Sequence, residues 1–227
     1  MMRNWFIPIA ISVSVSAHAA PPPQAEITYS VSRNGTVLAE VVEKLKQDGK
    51  TYSIEENTKG VGILSVYHSE RSSRGTIAPD GLRPLEYTDH RPMRDPASAN
   101  FDWSNKTITM NFKGPPRVLA MPPNAQDRLS VAFTFSFAPP GSRPVTVHSA
   151  DGKSISTYTY RAAGHERLAT PAGVFETLKL EKVRDGPEDK STELWLATDH
   201  GNLPVRLLIV DKDGTRLDQV ATQLNIP

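Results

Sequence analysis

Six Asn-Gly or Asp-Gly dipeptides divide this chain: Asn34-Gly35, Asp48-Gly49, Asp80-Gly81, Asp151-Gly152, Asp185-Gly186 and Asp213-Gly214. Such pairs tolerate the positive φ angles of tight turns, and between apolar runs they are strong local signals for antiparallel hairpins. Strand-like runs lie around them at residues 27–33, 37–46, 51–56, 63–68, 85–89, 107–112, 145–148, 156–160, 175–183, 194–197, 205–210 and 217–224. Several alternate apolar and polar residues, as in Thr107-Ile108-Thr109-Met110-Asn111-Phe112, the pattern of a half-buried strand. Turn signals at this spacing predict a mainly β chain built as a meander of antiparallel strands.

The N-terminus has the anatomy of an export signal. Arg3 supplies a positive start, residues 5–16 are apolar and uncharged, and Ala17-His18-Ala19 is a small-x-small cleavage pattern. Cleavage is expected after Ala19, since a cut one residue later would place Pro21 next to the scissile bond. The apolar run is too short to span a bilayer. No cysteine follows it to carry a lipid anchor. The expected organisation is a signal peptide at 1–19, a Pro-rich leader at 20–25 and a single β-rich domain at 26–227, located in the periplasm.

Eleven of the 19 prolines fall between Pro79 and Pro144. Because proline cannot donate to a sheet ladder, 79–144 is expected to hold loops and short edge strands. One helix candidate lies inside it. Asn124 suits an N-cap and Asp127 a first turn, and Leu129, Ala132, Phe133 and Phe137 share a face at helical spacing. Val131, Phe133, Phe135 and Phe137 also alternate as a strand would. The cap favours the helix, on which Phe135 points away from Phe133 and Phe137, so the element is apolar all round and buried on two sides.

Composition removes whole classes of chemistry. Without cysteine there is no disulfide, thiolate zinc site, thiol nucleophile or iron–sulfur cluster. The formal charge of +1 argues against nucleic acid as a partner, and Arg3 of the signal accounts for it. The histidines are scattered singly, so no metal site is expected, and no cofactor motif is present. Gly60-Val61-Gly62 lacks the third glycine of a nucleotide loop and marks a bulge or a bend. Glu55-Glu56 are neighbours that a strand points to opposite faces, so they are no glycosidase dyad. Trp103 and Trp195 read as core anchors, and Lys44, Lys46, Arg71 and Arg74 as solvated faces.

The segments 170–177 (Thr-Pro-Ala-Gly-Val-Phe-Glu-Thr), 193–199 (Glu-Leu-Trp-Leu-Ala-Thr-Asp), Leu203-Pro204-Val205-Arg206 and Gln126-Asp127-Arg128-Leu129-Ser130 resemble a family of exported Gram-negative proteins known as a domain of unknown function. The stretch from Trp195 to Gly214 is also similar to the closing hairpin of the periplasmic lipoprotein-carrier superfamily. That second resemblance implies a curved antiparallel sheet, an unclosed half-barrel covered by a helix around an apolar cavity. Neither resemblance implies a catalytic residue.

Three functions follow as expectations. The first is a non-enzymatic binding or carrier protein for an apolar ligand or lipid-like segment, with Leu129, Phe133 and Phe137 as the ligand-binding residues. The second is a cell-envelope scaffold that grips a protein through loops or a sheet edge. The third is a hydrolase in which Asp89 orients His90 as a general base and Arg91 binds an anion; the alternative there is a solvated loop at 88–95.

Overall fold

The computed structural model describes residues 20–186 and 188–227. The expected signal segment, 1–19, lies outside the described residues. Five of the six dipeptides fall in connections between antiparallel strands and the sixth, Asp80-Gly81, runs from such a connection into β5; Gly35, Gly49, Gly81, Gly152 and Gly214 have positive φ. The strands are β1 (Gln24–Arg33), β2 (Thr36–Gln47), β3 (Thr51–Gly60), β4 (His68–Ala78), β5 (Gly81–His90), β6 (Ala97–Asp102), β7 (Thr107–Asn111), β8 (Arg117–Ala120) and β9 (Ala125–Asp127). After the single helix α1 (Ser130–Phe137) come β10 (Val145–Ala150), β11 (Ile155–Thr170), β12 (Gly173–Lys182), β13 (Ser191–Ala197), β14 (Leu203–Val210) and β15 (Arg216–Asn225).

These form one 15-stranded sheet in the order β8-β7-β6-β5-β4-β3-β2-β1-β15-β14-β13-β12-β11-β10-β9. It is the expected meander with one join, β1 against β15, making two wings. Every pairing is antiparallel except β9 with β10. The curved sheet stops short of a closed barrel. Its edge strands β8 and β9 are consecutive in the chain, linked by 121–124, yet they share no ladder. Side chains and tight packing bring the wings together instead. Arg117 Nη1 donates to Lys153 O at 3.3 Å, Lys153 Nζ lies 4.3 Å from the Phe112 ring centre, and a Cβ on Gly152 would sit 2.7 Å from Ser98 N.

Val131, Phe133, Phe135 and Phe137 are helical, so the strand alternative for them does not hold, although a short strand precedes the helix. Residues 125–127 are strand β9 and the helix begins only at Ser130. Asn124 is therefore not the cap; it sits at φ +49° and its side chain donates to Thr146 O. Two apolar clusters lie on opposite sides of α1, as an all-apolar helix requires. Phe133 belongs to the cluster that holds Leu129, Leu45, Ile54 and Tyr87, whereas Phe135 belongs to that of Val147, Leu180 and Leu196 and meets Tyr160 edge-on at 5.4 Å.

The proline-rich third holds the short strands β6 to β9, of which only β8 and β9 are the expected edges; β6, β7 and the ten-residue β5 are inner strands. Pro84 is accommodated in β5 because the β4–β5 register shifts between Arg74 and Gly75, opposite it. Of the strand-like runs, 63–68 does not hold. A short 3-10 turn, Gly62–Leu64, occupies it and strand pairing starts only at His68. Conversely β4, with Ser69, Arg71, Ser73 and Gly75 turned inward, shows no apolar alternation.

Candidate functional site

The motif Gln126-Asp127-Arg128-Leu129-Ser130 fastens α1 between the wings. Asp127 Oδ1 accepts from Leu129 N at 2.8 Å and Ser130 N at 2.9 Å, and Ser130 Oγ accepts from Asp127 N at 2.8 Å. These bonds satisfy the two amides that lead into the helix, at Leu129 and Ser130, so Asp127 rather than Asn124 anchors its start. Its other oxygen accepts from Ser73 Oγ at 2.5 Å, and Ser73 lies 3.0 Å from Tyr52 Oη. Gln126 Nε2 donates to Leu82 O at 2.7 Å. Farther along, Thr134 Oγ1 accepts from Leu82 N and Ser136 Oγ donates to Asn202 O. The helix is thus bonded to β5 on one side and to the β13–β14 connection on the other. Burial raises the Asp127 carboxyl to about 6, against the pull of the Ser73, Ser130 and Leu129 donors.

A row of ionisable side chains crosses the same interior. Glu43, Glu56, Arg71 and Asp89 stand in direct register on β2, β3, β4 and β5, all facing inward, with Ile27 and Ala97 at the ends of the row. Arg71 bonds Glu56 on one side and Asp89 on the other, the latter at 3.3 Å. Arg91 holds Asp89 from beyond the strand end, Nε at 2.9 Å and Nη2 at 2.5 Å. Burial pushes Asp89 up, but the Arg91 bonds and the Arg71 and Arg91 charges outweigh it and leave the carboxyl below its usual range. Glu43 has no such cation in contact. Burial, then the charge of Glu56, raises it to about 8, so it is neutral at pH 7. Two guanidiniums therefore balance two carboxylates inside the sheet, and the fifth group keeps its proton.

The structure separates the predicted acid–base pair. Thr88, Asp89 and His90 are on β5 rather than in a solvated loop, and successive strand residues face opposite ways. Asp89 is buried with Arg71 and Arg91, while His90 is exposed on the other face and Arg91 is occupied by Asp89. The reading of Arg71 as a solvated residue is likewise overturned by its place in the row. Glu55 and Glu56 do face opposite sides, and Trp195 is buried. No group of three or more metal-ligating side chains occurs among the described residues.

Leu129 and Phe133 are deep in the larger apolar cluster and Phe137 packs half-buried against it, so the three predicted ligand-binding residues lie together. A cleft of about 630 Å³ opens at the sheet end between β1, β2 and β15. Its floor includes Ala25 and Leu45, members of the same cluster, and its rim carries Lys44, Lys46, Glu26 and Ile226. Sequence reasoning missed this cleft and the charged row. Only the inward period-2 placement of Glu43 beside Val41 and Leu45 was available to signal either.

Residues 24–220 match the model of a family described as protein of unknown function, DUF3108. None of the curated proteins matches the chain. Among solved structures, a β-barrel-like protein of Brucella abortus, from the domain of unknown function DUF1849, superposes with a TM-score of 0.59 at 8% identity, covering 92% of this chain and 99% of that one. A candidate lipoprotein of Parabacteroides distasonis aligns at a TM-score of 0.37 and 11% identity over 91% of this chain and 97% of that one, too distant for any argument. The Brucella likeness shows a shared fold alone, and the family model spans all but the last residues of the sheet. The chain belongs to the DUF3108 family, proteins of unknown function.

Proposed function

We propose that the protein is an exported, periplasmic, non-enzymatic binding or carrier protein that shelters an apolar chain in its half-barrel. One observation carries this reading: α1 is an apolar helix seated inside a sheet whose edges are not hydrogen-bonded to each other. Such a helix is held by a few polar bonds at its ends and by apolar contact along its length. An acyl chain offers the same apolar contact. The cleft over Ala25 and Leu45 reaches the cluster that contains Leu129 and Phe133, which supplies a route for it. The short apolar run and Ala17-His18-Ala19 pattern support export.

Mass spectrometry of organic extracts from the purified protein tests the reading, together with titration of a fluorescent fatty acid. The expected result is a co-purifying acyl-bearing species and saturable uptake that Ile226→Arg, an exposed substitution at the cleft rim, weakens without loss of fold. A protein that extracts clean and takes up no probe would overturn it.

A further inference from the structure

The residues that break the strand pattern at 61–67 form the most exposed apolar feature among the described residues. Val61, Ile63, Leu64 and Val66 are all exposed, Ile63 at 98% and Val66 at 90%. This is no loose loop. Val61 N donates to Leu38 O, Gly60 N to Tyr67 O, Leu64 N to Val61 O, Ser65 N to Gly62 O and Tyr67 N to Leu64 O. Gly62 has φ +63°, and a Cβ on Gly60 would sit 1.8 Å from Leu64 O, so the tight bend depends on glycine. The backbone is satisfied internally and the aliphatic side chains are presented outward, already ordered. Met93, fully exposed at φ +55°, tips the adjacent β5–β6 hairpin, roughly 10 Å away by strand spacing.

We infer that this tip is a docking element for a phospholipid bilayer surface. The seven residues from Val61 to Tyr67 include no charge. Around them charge cancels. Lys113 pairs with Asp95, exposed Lys59 stands opposite Glu40 in the β2–β3 register, and the exposed Glu70 and Arg94 offset each other in formal charge. The exposed aliphatic side chains are carried on two separate connections, β3–β4 and β5–β6, rather than on one continuous face. Separate convex prongs lack the packed core that a protein interface needs. A lipid surface asks for no shape complementarity, only aliphatic groups that enter the acyl boundary while the polar rim stays in the headgroups. Because the rim is balanced, binding is driven by apolar insertion and does not require anionic lipid.

The inference is independent of what the half-barrel holds. Residues 20–227 contain all fifteen strands, and the apolar N-terminal run would bind lipid by itself, so the test uses protein beginning at Ala20. Co-sedimentation with phosphatidylcholine vesicles is compared for wild type and Ile63→Glu/Val66→Glu, with thermal melting as the check on folding. Expected are binding that is unchanged between about 0.05 and 0.5 M salt, a loss of at least about tenfold in the double variant, and matching melting curves. An Ile63→Trp variant quenched by brominated acyl chains reads insertion at the tip itself. No vesicle binding, binding that survives the double substitution, binding seen only with anionic lipid at low salt, or a dimer abolished by the double substitution would each overturn it.

Discussion

Ser73 Oγ donates a 2.5 Å hydrogen bond to Asp127 Oδ2 across 54 residues of sequence. With it, the carboxylate that anchors the start of α1 is tied to the middle of β4, and helix and sheet become one unit. The bond is buried with both partners, so neither loss can be made good by water.

Asp127→Ala removes the acceptor for the two amides that lead into the helix and for Ser73. It is expected to destabilise by about 2–4 kcal/mol, against about 1 kcal/mol for Ser73→Ala. Urea unfolding midpoints measure both. Equal effects from the two substitutions would show that the two amide bonds contribute nothing beyond the Ser73 bond.

Stability should fall as pH rises through the neutral range. Folded Glu43 keeps its proton to about pH 8, whereas the unfolded residue releases it near 4.5, so the folded state binds more protons between those values. Its contribution is complete below about pH 4.5 and is lost as pH climbs to about 8. Asp127 adds the same sign between 3.8 and about 6. Asp89, held low, acts oppositely: its contribution is present at neutral pH and lost only in acid. Glu43→Gln is expected to flatten the decline, gaining on the order of 1–3 kcal/mol over wild type at pH 8.5 relative to pH 5. Parallel stability curves for the two proteins would refute this assignment.

Arg71→Met leaves Glu56 without its cation inside the sheet and strips Asp89 of one of two partners. A loss of about 3–5 kcal/mol is expected, the usual cost of breaking a buried pair from one side. Adding Glu56→Gln should restore much of it, because Asp89 still has Arg91. Chemical denaturation of the single and double variants decides the matter.

Gly75→Ala should cost about 2–3 kcal/mol, since its Cβ would lie 2.2 Å from Arg83 O and 2.8 Å from Pro84 Cα, both backbone atoms at the bulge. Gly141→Ala, with nothing within 4 Å of its Cβ, is the control and should stay within about 0.5 kcal/mol. Thermal unfolding of the pair tests whether the bulge is what admits a proline to an inner strand.

Much of the β architecture was legible in the chain. The Asn-Gly and Asp-Gly pairs are local signals, because two residues suffice to favour a tight turn, and the period-2 runs beside them need no distant partner to be read. The double-sided burial of α1 followed from Phe133 and Phe135 alone. Tertiary structure decided what local pattern leaves open. β4 is a strand through its neighbours' ladders, since Ser69, Arg71 and Ser73 carry no apolar signal. Apolar Ile63 and Val66 stay outside because glycines at 60 and 62 turn the backbone away from the sheet. Arg71 is a surface residue by type and an interior one by register, with Glu56 and Asp89 waiting on adjacent strands. Turns and alternation are properties of a few consecutive residues; the charge balance of an interior, and the place where an apolar run is left exposed, depend on residues that only folding makes neighbours.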